Sequence, residues 1–500
     1  MNTIFHPTEP LLFPYPGLHC ATVQICFCPR SDTHNTPVRV QRFVPRLFEC
    51  GLPLKGQCFF VQSVVSRLSR VIFIEAPDFF DCSIELKPEG VEVHAEGCTV
   101  YSEECTLGDE EALLRAFLRT QMPLPLFAMV NNWGDMNGPD VLNEAFCLRE
   151  IDAAAEIGLD VVQLDDGWQK GSSKAVRIFD ENGKNTYLRR LDGDFWEVDR
   201  EKFPNGLEKV AQYALSRGIT PGLWFAPDAR NHFGNMERDL AVLRRAVQMG
   251  FRYFKLDMIK IVDWEDRNRF VLFLEKVHAL ADNIYLQLDV TGPVPRLGFT
   301  DGMGYGKLFV ENRFTKRGDY FPHLTLSNLW QLCRYIPAQH FQFELANRRR
   351  FPEDYAPSDP LAPMNFSAAW QFASVMVSCP LVWMEVQNLH PDDCEELMPL
   401  IAAWKQERDR MARCDVQPVG SLPDGTGMTG FLCTDGQGGY LIALSEQIAL
   451  HTLSLALPKP VCEIRCLHTN TAQEIVSDGL HLTVTLPDKA AYAFYRFSWA

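Results

Sequence analysis

Residues 251–258 read FRYFKLDM, and residues 160–168 read DVVQLDDGW. Each is a short run of β-branched, aromatic and aliphatic residues, the composition of a strand, and each closes on acid. The first ends at Asp257 and the second at the pair Asp165 and Asp166. A third run, KLFVENR at 307–313, carries Glu311. Stretches with helical recurrence separate them. Acidic side chains at the C-terminal ends of successive strands, with helices between, describe the rim of a (β/α)8 barrel, the face on which such folds build their sites.

Working outward, the alternation continues in both directions. LFAMVNN (126–132) reads as a strand ending at Trp133, and a helix is expected between 137 and 157, opened by NGPD and stopped by Gly158. After DVVQLDD come a helix in PNGLEKVAQYALSRG (204–218), the strand TPGLWFAPD (220–228), and the helix ERDLAVLRRAVQMG (237–250). FRYFKLDM is then the fourth strand, NIYLQLDV (283–290) the fifth, KLFVENR the sixth, HFQFELAN (340–347) the seventh and CPLVWMEV (379–386) the eighth. An open doubly wound sheet would want a Gly-rich phosphate turn after its first strand, and none stands there.

The flanks read as β. Before the barrel, VQRFVPRLF, QCFFVQSVV, RVIFIEAP and VEVHAEGCTVYS are short, Val/Ile/Phe-rich and punctuated by Gly, Pro and Asp. After it come TGFLCTDG, GYLIALSE, HTLSLALP, LHLTVTLP and AYAFYRFSW. The expected organisation is an N-terminal β-sandwich-like domain (1–122), a catalytic barrel (123–413) and a C-terminal antiparallel β-sandwich domain (414–500).

Composition narrows the partners. The 500 residues are 46% hydrophobic and 22% charged, an ordinary globular balance, with a net charge of −16. That surplus argues against nucleic acid and anionic membrane surfaces. The 16 cysteines follow no paired C-x2-C framework, so no structural zinc site is expected. No basic, apolar leader opens the sequence and no apolar run reaches the roughly 18 residues of a membrane span. A cytoplasmic protein with reduced thiols is the expectation.

The rim residues allow specific chemistry. Lys255 and Asp257 stand two apart and so share a strand face, which puts an ammonium beside a carboxylate and favours the ionised acid. Such a group is a nucleophile or electrostatic stabiliser, or else one half of a buried ion pair. Asp165 and Asp166 either accept hydrogen bonds from sugar hydroxyls or belong to a solvated loop. Trp133, Trp168 and Trp224 fall at three strand ends. They suit a carbohydrate platform, since sugars present apolar faces and polar edges, and they equally suit packing. A metal site would have to be mostly carboxylate, because His is sparse at the strand ends and neither H-x-H nor H-E-x-x-H occurs. No G-x-S-x-G elbow is present for a serine hydrolase.

NNWGD, LDDGWQKG, KFPNGLEKVAQYALSRGI, GLWFAPD and YFKLDM, in this order, resemble the melibiase-type α-galactosidases, retaining glycoside hydrolases. The match is clear over about residues 124 to 260 and weaker beyond. The resemblance implies that Asp257 is the nucleophile, that Lys255 contacts sugar hydroxyls, that Asp165 and Asp166 bind the hydroxyls defining a galactose configuration, and that Trp133 and Trp224 are the aromatics of the site. Two segments depart from the family pattern. In LDVTGPVPRLGF (288–299) the family's Cys and Gly-rich turn are missing and Arg296 is the residue left to correspond. In LFVENRFT (308–315) Glu311 or Asn312 stands where the family places its acid/base. Only Glu can both give and take a proton, which selects Glu311, with Asp289 and Asp319 in reserve. Asp289, Arg296 and Arg313 complete the expected sugar-contacting set with Trp168.

The implied reaction is double displacement on a terminal α-galactoside, or a related α-glycoside, through a covalent glycosyl-aspartate. No metal or organic cofactor is expected, and the partner is an oligosaccharide or glycoside; a homo-oligomer stays open. The altered fifth-strand turn admits an α-N-acetylgalactosaminide as an alternative substrate. Transfer in the manner of raffinose synthases is a second alternative, and a sugar-binding barrel with a decayed acid/base a third.

Overall fold

The computed structural model describes residues 4–14, 19–27, 36–47, 53–77, 80–120, 125–171, 194–291, 302–447 and 451–500. Its centre is a closed barrel of eight parallel strands: β1 (Met129–Asn131), β2 (Val161–Leu164), β3 (Thr220–Phe225), β4 (Tyr253–Leu256), β5 (Tyr285–Asp289), β6 (Lys307–Phe309), β7 (Phe341–Leu345) and β8 (Cys379–Trp383). Register runs from strand to neighbour around the ring and closes where Asn131 of β1 pairs with Trp383 of β8. Helices cover the outer face, so nearly every strand residue is buried on both sides. This is why the strands read as continuous apolar runs instead of alternating ones.

Local signals set the helix ends. Asn143 caps helix Glu144–Ile157 by accepting from the Phe146 amide, and Gly158 ends it at φ 89°. This helix starts later than the expected residue 137, because Asn132–Asp135 and Gly138–Asp140 coil as short 3-10 turns. Asp263 caps Trp264–His278 in the same manner, and Gly250 closes Met236–Met249 at φ 114°. Gly134 has a different duty. A Cβ built there would lie 1.9 Å from the Trp383 carbonyl oxygen, so β1 can leave the barrel against β8 only with a bare Cα.

Two antiparallel sheets of six and four strands precede the barrel, packed over a core that includes Phe59, Ile72, Ile74, Ile84 and Val93. Sheets of five and three strands follow it, over Leu441, Leu453, Val484 and Tyr495. Helix Glu110–Arg119 ties the three parts together. Its Arg115 donates from Nε and Nη2 to Asp415 at 3.0 and 3.1 Å, at the first strand after the barrel. Among the described residues no helix is long and apolar enough to cross a membrane.

Candidate active site

Strand β2 stops at Leu164, so Asp165 and Asp166 both lie beyond it and neither is bound by strand alternation. Asp165 turns to the barrel axis. Its Oδ2 accepts from Asn131 Nδ2 at 2.6 Å, Lys255 Nζ at 3.2 Å and Gln163 Nε2 at 3.3 Å. The Asn131 amide is itself held, because its Oδ1 accepts the Trp133 backbone N–H at 2.9 Å. Lys255 sits at the centre of this acid group, its Nζ 5.4 Å from the Phe309 ring centre and 5.1 Å from that of Trp383. Burial alone would lower the pKa of its ammonium. The carboxylates of Asp165, Asp257 and Asp289 more than offset that burial and raise the Lys255 pKa.

Asp257 follows the last residue of β4 and is half-buried. Its Oδ2 accepts the Trp224 Nε1–H at 3.1 Å, and its Oδ1 accepts the Met258 amide. Met258 adopts φ 56°, the left-handed turn that folds this amide back over the carboxylate. Two N–H donors thus orient the carboxylate, whose charge bears on Lys255. Asp166 behaves in the opposite sense. It is 5% exposed, and burial, then the charges of Asp165 and Asp257, push its pKa up to about 7 against the pull of Gln169 and Lys202. Asp289, at the end of β5, accepts from the Thr291 amide at 2.9 Å and its hydroxyl at 2.6 Å.

A second acid cluster lies past β6 and β7. Glu311 is 1% exposed; its Oε1 accepts from Asn328 Nδ2 on helix Pro322–Leu332 and lies 3.5 Å from Arg313 Nε. Glu344, fully buried near the end of β7, accepts the Arg313 amide at 2.8 Å. Burial, then the charge of Glu311, raises the Glu344 pKa well above the carboxylate range. Asp319 accepts the Phe314 amide at 2.6 Å and faces Glu344 from the same loop as Glu311.

The structure thus gathers Asp165, Asp166, Trp224, Lys255, Asp257 and Asp289 in one group, and Glu311 with Arg313 in another. Trp133 is half-buried at the end of β1. Trp168 is in the core at 2% exposure: its ring stacks on Trp196 with centroids 5.8 Å apart, and its Nε1 donates to the Trp224 carbonyl at 2.9 Å. Trp224 is equally buried, with its indole N–H spent on Asp257. Arg296 lies outside the described residues. Sequence reading passed over Asn131, Gln163 and Glu344. The signal for Gln163 was present, two residues before Asp165, and so was that for Glu344, an acid near a strand end.

Among the described residues two groupings bring three candidate metal ligands together, and neither includes Asp257. In one, His232, Asp263 and Asp266, the carboxylates serve as helix caps: Asp263 accepts the Asp266 amide, and Asp266 accepts from Val262 and from the His232 ring. In the other, Glu92 is already paired with Lys87.

A closed β/α barrel whose C-terminal rim carries a caged lysine and several carboxylates defines the class. Within it, the family model of Melibiase matches residues 110–242. α-Galactosidase Mel36A of Lactobacillus acidophilus is 33% identical over 111 residues, 22% of this chain and 13% of that protein. α-Galactosidase AgaA of Geobacillus stearothermophilus is 36% identical over 104 residues, 20% of this chain and 12% of that protein. These matched segments span only a small part of the curated relatives. The fold likeness is far wider. The crystal structure of GH36 α-galactosidase AgaA superposes with a TM-score of 0.63 at 14% identity, covering 99% of this chain and 79% of that one. The galactosidase domain of the α-galactosidase–sucrose kinase AgaSK gives 0.66 at 12%, covering 96% and 74%. The chain resembles the melibiase-type α-galactosidases in sequence over its first barrel units and in fold throughout.

Proposed function

We propose that the chain is a retaining glycoside hydrolase that cleaves terminal α-linked galactose. One observation carries the reading: the half-buried Asp257 carboxylate is fixed by Trp224 and Met258 N–H donors at the end of β4, within the field of Lys255. That is an oriented, ionised nucleophile at the face where a barrel binds substrate. In the proposed cycle Asp257 attacks the anomeric carbon as Glu311 protonates the departing oxygen. Water then displaces Asp257, with Glu311 taking its proton. Retention calls for carboxyls about 5–5.5 Å apart around the sugar. Asp165, organised by Asn131 and Lys255, accepts hydrogen bonds from sugar hydroxyls. Asp166, which holds its proton near neutrality, both accepts and donates one. Trp133 offers its partly open ring to the sugar face, while Trp168 and Trp224 serve from beneath.

Asp257→Ala tests this directly. Activity on a nitrophenyl α-galactoside should fall by about three or more orders of magnitude, and azide should restore turnover as a glycosyl azide of inverted configuration. Near wild-type activity in this variant defeats the proposal. A panel that includes the N-acetylgalactosaminide and a sugar acceptor ranks hydrolysis of galactosides against the other α-glycoside and against transfer.

A further inference from the structure

Of the three tryptophans at the rim, Trp168 and Trp224 are 2% exposed, and Trp133 is the one that keeps a partly open ring. The chain is fastened on both sides of it. Before it, Asn131 Oδ1 accepts the Trp133 amide at 2.9 Å. After it, the chain is clipped to the exit of β8. Asp135, 1% exposed, accepts the Glu385 backbone N–H on Oδ2 at 3.1 Å, and the Glu385 carboxylate accepts the Asn137 side-chain amide in return. Arg350, from the loop after β7, brings its Nε to 3.6 Å from the same Asp135 oxygen. The two arms of the clip enclose Met136 at φ 53°, a left-handed conformation that a non-glycine residue keeps only where its surroundings hold it. The segment they hold lies along the indole: a Cβ built on Gly138 would stand 4.0 Å from Trp133 Cζ3. For packing alone a carboxyl is a destabilising choice at this position. Burial pushes the Asp135 pKa up to about 7, and its Oδ1 is buried without a hydrogen-bond partner.

We propose that Asp135 is a positioning residue for Trp133: its clip to Glu385 sets the indole at the rim so that the ring meets the apolar face of the sugar. The inference rests on the reading of Trp133 as a sugar-contacting residue. The anchor is the exit of a barrel strand, so the ring is fixed relative to the barrel wall. A ring packed on a sugar face serves substrate and transition state alike. What the clip contributes is therefore uniform binding, which appears in KM and leaves kcat in place.

The test is a double-mutant cycle on a nitrophenyl α-galactoside. Asp135→Ala should raise KM by about tenfold with kcat within about threefold of wild type, and Asp135→Asn, which keeps an oxygen for the Glu385 amide, should recover most of the loss. In a Trp133→Ala background Asp135→Ala should change KM by less than about twofold, since no ring is left to place. A wild-type KM in Asp135→Ala, or an equal effect with and without Trp133, overturns the proposal. Asn137→Ala opens the other arm of the clip and should raise KM in the same way; it decides the matter should Asp135→Ala not fold, with an unmoved KM as the contrary result. Acrylamide quenching of fluorescence gives a reading free of turnover. The share due to Trp133, taken as the difference between each protein and its Trp133→Phe counterpart, should be larger in Asp135→Ala than in wild type, and an unchanged share refutes the clip. Wild-type protein inactive on every α-galactoside overturns the hydrolase reading instead and leaves quenching to decide how the ring is held.

Discussion

Replacing Asp166 by asparagine should stabilise the protein while weakening its site. The carboxyl is 5% exposed and its pKa stands at about 7, raised by burial and by Asp165 and Asp257. In the unfolded chain an aspartate titrates near ~3.9. Between those values the native state binds the extra proton, so stability falls as pH rises through this window and levels off above it. The span is about three pH units at ~1.4 kcal/mol each, so the raised pKa of Asp166 costs the fold about 4 kcal/mol at alkaline pH, about 1.5 kcal/mol at pH 5 and about 0.5 kcal/mol at pH 4. Asparagine keeps the oxygen that accepts from Gln169 and removes the charge. Urea unfolding followed by tryptophan fluorescence should place Asp166→Asn above wild type by about those amounts at pH 8.5 and pH 5, with an unchanged denaturant slope. Activity should fall in the same variant, since with its oxygen on Gln169 the amide presents an NH2 that can only donate where a carboxylate oxygen can accept from a sugar hydroxyl. A stability difference that does not grow with pH, or a variant less stable than wild type at pH 8.5, refutes the reasoning.

Two other substitutions probe the supports of the site. Trp224→Phe keeps the ring and deletes the N–H that meets Asp257 Oδ2 at 3.1 Å. A hydrogen bond to a charged group contributes about 1.5–3 kcal/mol, so the acidic limb of kcat/KM should rise by about one to two pH units; an unmoved limb contradicts the role given to the indole. Gly134→Ala pushes a methyl into the Trp383 backbone, with 1.9 Å to the oxygen and 2.3 Å to the carbon. Main chain on both sides has no rotamer escape, so the variant should lose about 3 kcal/mol, read as a lowered melting temperature, with a wild-type melt as the contrary result.

The barrel was legible because its strands are buried on both faces and its helices are not. That contrast writes period-free apolar runs between amphipathic ones, and all eight strands fall where the runs predict them. Spacing also placed Lys255 with Asp257. It could not place partners brought together by closure. Asn131 meets Asp165 across 34 residues, Trp224 meets Asp257 across 33, and Glu344 reaches the Arg313 amide across 31. Trp168 shows the limit well. A tryptophan at a strand end has the same local signature whether a sugar or another ring covers it. Here the cover is Trp196, from a segment with no strand signal of its own. The pair Asp165–Asp166 was ambiguous for a simpler reason: alternation splits adjacent acids only while the strand lasts, and β2 ends one residue earlier.

The two acid clusters differ in how charge is matched, and the proposed two-carboxyl reaction calls for such a difference. A retaining glycosidase must hold one acid ionised and the other protonated at the same pH. Around Asp257 the ammonium of Lys255 and two N–H donors stabilise negative charge, and the excess acid, Asp166, takes up a proton instead. Beside Glu311, among the described residues, stand the Arg313 guanidinium and Glu344, whose pKa burial raises well above the carboxylate range. Neither outcome depends on an unusual residue. Each follows from burial, which disfavours charge where solvation is poor. It also follows that arginine cannot stand in for Lys255. The ammonium fits between the Phe309 and Trp383 rings as a compact charge, whereas a planar guanidinium in that space would displace one ring or leave Asp165 unpaired.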